Sequence, residues 1–164
     1  MFKFLIGMLF SFSVFAADSV TVPANFHCDG KYLLNRSFET IYTFSFHSQC
    51  SNALMSAQAR VICADKEILN DLGEVIANLS FSSECRRSVT NSKATMLCAD
   101  KNIYNFISNT FVTGFSFSSE CSSALMNSTK HFICNNKDLY NDRGQLLRSF
   151  SSTNDCRRAM RNAQ

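Results

Sequence analysis

Apolar residues along this chain come in short runs separated by polar pairs, and the arrangement recurs. In Val61-Ile62-Cys63 the run is too short for anything but a strand. Ala64-Asp65-Lys66 reads as a turn and Ile68-Leu69-Asn70 as a second strand. Asn70-Asp71-Leu72-Gly73 has hairpin-turn chemistry, because Gly tolerates positive φ. Val75 to Phe81 alternates as a third strand. Ser82 and Ser83 offer hydroxyls that can cap a helix, and Glu84 suits the positive end of its dipole. Cys85 and Val89, four apart, then share one helix face. The pattern predicts a three-stranded meander followed by a helix of about two turns.

The same pattern occurs four times, on a grid of eight cysteines: Cys28 and Cys50, Cys63 and Cys85, Cys98 and Cys121, Cys134 and Cys156. The first cysteines lie 35, 35 and 36 residues apart. The chain is therefore a tandem repeat, with units at approximately 26–60, 61–95, 96–131 and 132–164. The fold class is α+β, mainly β, braced by disulfides. Units one and three share CSNALM and CSSALM, whereas units two and four share NDLG or NDRG together with CRR. A two-unit block duplicated whole explains this alternation. No polar cap stands out at either end, and an open solenoid needs one. A compact closed or propeller-like arrangement is therefore expected in preference to an open stack.

Met1 to Ala16 reads as a secretory signal peptide: Lys3 is the positive region and Phe4 to Phe15 is too short for a comfortable membrane span. Residues 17–164 then form one repeat domain, preceded by a possible strand at Ser19–Val22 that Pro23 ends. Removing the signal leaves 15 basic residues against 13 acidic, a charge of +2. That balance points away from nucleic acid, and no stable membrane insertion is expected after cleavage. The localisation is secreted, either periplasmic or extracellular. The short signal and the Phe-, Asn-, Ser- and Lys-rich composition look bacterial.

An even cysteine count behind a signal peptide implies disulfides rather than zinc, since CxxC is absent and the histidines do not recur at one repeat position. Pairing within a unit and pairing between successive units both fit. The constant spacing of 13 residues between units tips the expectation toward Cys50–Cys63, Cys85–Cys98 and Cys121–Cys134, with Cys28–Cys156 closing a ring.

The repeated Lys31, Lys66, Lys101 and Lys137 read as solvated turn residues, and Asn35, Asn70, Asn105 and Asn141 as turn formers. Phe46, Phe81 and Phe117 share one repeat position, which reads as packing. Tyr32, Tyr42, Tyr104 and Tyr140 could stack on sugar rings, although most aromatics are expected in the core. The ligand-binding candidates are Arg86, Arg87, Arg157, Arg158 and Arg161. Both pairs are placed in the first helical turn, where a cation opposes the dipole, and could grip carboxylate, sulfate or phosphate bidentately. Each pair is expected to form one site. No GxSxG, HExxH, phosphate loop or His–Cys pair is visible, and no metal or cofactor is implied. The expected function is a non-enzymatic binding module for a glycan or cell-surface protein. The alternatives are a secreted protease inhibitor and an enzyme whose site forms only in three dimensions.

Overall fold

The computed structural model describes residues 25–163. The expected signal peptide and the Ser19–Val22 strand lie outside these residues. The first unit contains β1 (Phe26–Asp29), β2 (Tyr32–Asn35), β3 (Thr40–Thr43) and α1 (His47–Ser56). The second contains β4 (Val61–Ala64), β5 (Glu67–Asn70), β6 (Val75–Asn78) and α2 (Ser82–Thr90). The third contains β7 (Met96–Ala99), β8 (Asn102–Asn105), β9 (Thr110–Gly114) and α3 (Ser118–Asn127). The fourth contains β10 (Phe132–Asn135), β11 (Asp138–Asn141), β12 (Leu146–Ser149) and α4 (Thr153–Asn162). Each unit is thus one antiparallel three-stranded meander plus one helix. The helices run nine or ten residues, longer than the two turns expected. The third strand is shorter: β6 ends at Asn78, although Leu79 N–H still donates to the Lys66 carbonyl.

Two local devices set the meander. The first turn is two residues long, and its leading position takes positive φ in every unit: Gly30, Asp65, Asp100 and Asn136. Gly, Asp and Asn are the residues that tolerate this conformation. The second turn is built around the repeated asparagine. Asn70 is 1 % exposed, and its Oδ1 accepts from the N–H groups of Leu72 and Glu74 at 3.0 and 2.9 Å. Asn35, Asn105 and Asn141 do the same. Such a side chain satisfies turn amides that would otherwise be buried without partners. The extra residue of the third unit enlarges the turn after Asn105, where Tyr104 pairs with Phe111 and Asn105 with Thr110. A bulge follows in each third strand, at Ile41, Ile76, Val112 and Leu147.

The cores sit at the junctions. On each first strand the first and third residues face the unit's own helix. The second and fourth face the preceding unit, because side chains alternate along a strand. Ile62 and Ala64 accordingly join Phe26, Leu33 and Phe44 in one cluster. Leu97 and Ala99 join Val61, Ile68 and Val89, and Ile133 joins Ile103, Val112 and Leu125. The inner strands β4 and β7 are therefore buried at every position, and they read as continuous apolar runs. Each helix packs on its own first strand and on that of the next unit: α1 on β4, α2 on β7, α3 on β10.

The disulfides all form within units: Cys28–Cys50, Cys63–Cys85, Cys98–Cys121 and Cys134–Cys156. The between-unit pairing expected from the constant spacing is overturned. The cysteine-bearing turn of each helix lies over its own first strand, and only the later residues, such as Val89, reach the following one. Each bridge closes a loop of about 22 residues and stabilises by about 3 kcal/mol in the chain-entropy model. Four disulfides in a domain of this size are consistent with secretion. Among the described residues, no helix is long and apolar enough to cross a membrane.

The first unit differs from the others on the face that elsewhere meets a preceding unit. Where Ile62 and Ala64 or Leu97 and Ala99 face a preceding unit, the first unit carries His27 and Asp29. The Phe38 ring packs edge-on against His27 at 4.7 Å. No hydrophobic cluster among the described residues joins the first unit to the fourth.

Candidate functional site

Every junction leaves a groove on the helix side. One wall is the helix of the earlier unit. The floor is the first-strand cysteine and the positive-φ turn of the later unit, and the other wall is the start of the later helix. The first groove is lined by Gln49 and Asn52 on one side, Asp65 below, and Ser82 and Arg86 on the other. The third is lined by the same positions 71 residues later: Glu120, Ser123, Asn136, Thr153 and Arg157. The middle groove has Glu84 and Arg87 on the first wall, Asp100 below, and Ser118 and Ser122 opposite. Their volumes, in chain order, are about 150, 450 and 290 Å³. The middle one is the widest, and there Ser122 stands in the place of Arg86 and Arg157.

The two arginines of the CRR pair therefore do not share a site. Arg86 faces the groove before its unit, and Arg87 the groove after it. Adjacent helix residues point about 100° apart, so this division follows from helix geometry. The same geometry sends Arg157 into the third groove. Neither Arg158, the counterpart of Arg87, nor Arg161 lines any of these three grooves. Each groove ends up with one arginine: Arg86, Arg87, then Arg157. Among the described residues Arg60 pairs with Asp71, and His131 Nδ1 lies 3.2 Å from Asp142, which leaves the groove guanidiniums without a carboxylate partner.

The arginines also lie further along the helices than the sequence suggested. Arg86 and Arg87 are the fifth and sixth residues of α2, and Arg157 and Arg158 hold the same places in α4. They are past the first turn, so the dipole does not oppose them. The helix starts explain the offset. The N-cap of α2 is Phe81, not a serine. In α1 and α3 the N3 side chain supplies the cap instead. Gln49 Oε1 accepts from the N–H groups of Ser45 and Phe46, and Glu120 Oε2 from those of Ser116 and Phe117. That half of a capping box needs no hydroxyl at the N-cap. In α4 the N-cap is Ser152, whose Oγ accepts from Asp155 N–H.

Phe46, Phe81 and Phe117 are these N-cap residues, and they are 67, 62 and 65 % exposed. They are not packing residues. The N-cap lies beyond the sheet face and before the helix stripe, so its side chain escapes both. Phe81 and Phe117 immediately precede the groove residues Ser82 and Ser118. Of the tyrosines, Tyr42, Tyr104 and Tyr140 pack against the junction cores, and only Tyr32 is exposed. The turn lysines are exposed, and their backbone carbonyls accept from the residue just past each third strand, Phe44, Leu79, Phe115 and Phe150. Among the described residues, no cluster of His, Cys, Asp and Glu could hold a metal ion. Compared with family models, with curated proteins and with solved structures, the chain matches none.

Proposed function

We propose that this chain is a secreted, non-enzymatic binding module for a glycan or a protein surface, with the junction grooves as its contact sites. The observation that supports this reading is the recurrence of one groove at three junctions, each offering one arginine free of any carboxylate partner among the described residues. A catalytic centre needs different groups converging on one reacting atom. Here the groups are distributed evenly, with one guanidinium beside hydroxyls and a carboxylate or amide in each groove. Charge-assisted contacts to such guanidiniums are directional and suit recognition. Weak contacts repeated on one rigid chain add up through effective concentration.

The test is a binding panel of immobilised glycans and extracellular proteins, probed with the disulfide-bonded protein. The parent should bind a subset of the panel. The Arg86→Ser/Arg87→Ser/Arg157→Ser variant, which copies the serines of the chain's own odd-numbered units at the first and third positions, should lose that binding while keeping its fold. Full retention by the variant would remove the grooves from the function.

A further inference from the structure

The groove chemistry narrows the ligand class, an inference that rests on the binding-module reading above. We infer that the three grooves together bind a linear acidic polysaccharide, with one carboxylate of the polymer entering each groove.

The first argument is the spacing of charge. Arg86 and Arg157 reach their grooves from the later helix, and Arg87 reaches its groove from the earlier one. The routes differ, yet the outcome is one guanidinium per junction along a run of similar units. A ligand that uses all three must itself present acidic groups at regular intervals. The second argument is charge density. In the first groove Arg86 stands with Asp65, a formal sum of zero. In the middle one Arg87 stands with Glu84 and Asp100, a sum of −1. In the third Arg157 stands with Glu120, again zero. A dense polyanion such as nucleic acid binds by neutralising many phosphates with many cations, and one arginine per groove, offset by one or two carboxylates, does not supply them. A sparse polyanion rich in hydroxyls meets a different surface. Its carboxylate takes the guanidinium bidentately, and its hydroxyls donate to Asp65, Glu84, Asp100 or Glu120. Exposed Phe81 and Phe117, adjacent in sequence to groove serines, add apolar faces of the kind the C–H side of a sugar ring can cover.

Arg158 is a built-in control. It occupies the helical position of Arg87 but lines none of the three grooves, so polymer threaded along them does not reach it.

The experiment is calorimetric titration of the disulfide-bonded protein with size-defined oligogalacturonates and hyaluronan fragments, alongside carboxyl-reduced neutral forms of each. Circular dichroism and a non-reducing gel confirm that each variant is folded and cross-linked. Affinity for at least one acidic series should rise with oligosaccharide length and level off once three grooves are spanned. Arg86→Ser, Arg87→Ser and Arg157→Ser should each weaken binding of the longest fragment by about three- to tenfold, less than a shielded charge-assisted contact gives because the grooves are open to solvent. Arg158→Ser should leave it unchanged. Equal binding of the neutral forms, no dependence on length, or an Arg158→Ser loss equal to that of Arg87→Ser would overturn the inference. A parent that binds neutral glycans or proteins but neither acidic series would overturn it and leave the binding-module reading standing. A parent that binds nothing on either panel would overturn both.

Discussion

Adding one methyl group at each of three glycines should measure how closely the units are pressed together. Gly30, Gly73 and Gly144 all have positive φ, at 57°, 81° and 77°. An L residue there is strained by about 1–2 kcal/mol. Stiffening the unfolded chain returns about 0.4–1 kcal/mol of that. Around Gly30 a Cβ would meet nothing within 4 Å, so Gly30→Ala should cost only the balance, about 0–1.5 kcal/mol. Gly73 and Gly144 stand at junctions. A Cβ on Gly73 would lie 2.9 Å from Cβ and Cγ2 of Ile41, the bulge residue of the first unit, whose side chain can partly yield. A Cβ on Gly144 would lie 2.5 Å from the Phe111 carbonyl oxygen and 3.2 Å from Val112 Cα. Those are backbone atoms, so the fourth unit must move off the third. Overpacking of this kind adds about 1–3 kcal/mol, which brings Gly144→Ala to about 1–4.5 kcal/mol. Thermal unfolding of the oxidised proteins by circular dichroism should rank the variants Gly30→Ala, Gly73→Ala, Gly144→Ala in order of increasing loss. At about 2–4 °C per kcal/mol for a domain of this size, Gly144→Ala should lower Tm by about 2–18 °C. All three variants keep the same disulfides, so the cross-linked unfolded state cancels in the comparison. A Gly144→Ala protein no less stable than Gly30→Ala would refute the account of the junction as a close backbone contact.

Two further perturbations probe the interior of a unit. Asn70→Ala should destabilise by about 2 kcal/mol or more in the same assay, because two turn N–H groups lose their acceptor in a buried site, and Asn70→Asp should not restore stability, because its second oxygen would face Glu74 Oε2 where Asn70 Nδ2 now donates at 2.7 Å. Tyr42 has its phenol pKa raised above 10.0, first by burial and then by Asp65 and Glu67, so its neutral form is favoured in the fold. That contribution is intact below the unfolded pKa and is lost as pH rises through the folded one, so Tyr42→Phe should flatten the fall in stability above about pH 10 in urea titrations across that range.

Much of the unit was legible because it rests on local chemistry. The cysteine grid marked the period. Asp65-Lys66 and Asn70-Asp71-Leu72-Gly73 marked both turns, since few residues tolerate the backbone conformations found there. What was hidden depends on which unit lies next door. Phe81 looked like a core aromatic because it recurs, but recurrence in a repeat marks an equivalent place, and here that place is outside the packed faces. The spacing of 13 residues between Cys50 and Cys63 was as regular as the spacing within units. Regularity could not show that the helix turn carrying Cys50 rests on β1 rather than β4. The division of Arg86 from Arg87 was legible in principle from the rotation between neighbouring helix residues. What sequence could not supply was that the helix lies between two grooves, so that both directions lead to a site.

The ends of the array follow from the same logic of neighbours. Ile76 and Val112 are 7 and 2 % exposed because the next unit covers them, while their counterpart Leu147 is 49 % exposed. Position alone thus turns a core residue into a surface one. At the opposite end the exchange is made in sequence: His27 replaces a buried isoleucine or leucine, and Phe38 closes over it. Phe38 also occupies the place where Gly73 and Gly144 admit the preceding unit at their junctions, and it does so at φ 63°. A side chain of that size there would meet a preceding unit's bulge, where even a methyl group on Gly144 is too large. That face of the first unit therefore differs in shape from the junction faces of the second and fourth units. Here the start of the array is marked by a bulky residue at a position that two of the other units reserve for glycine.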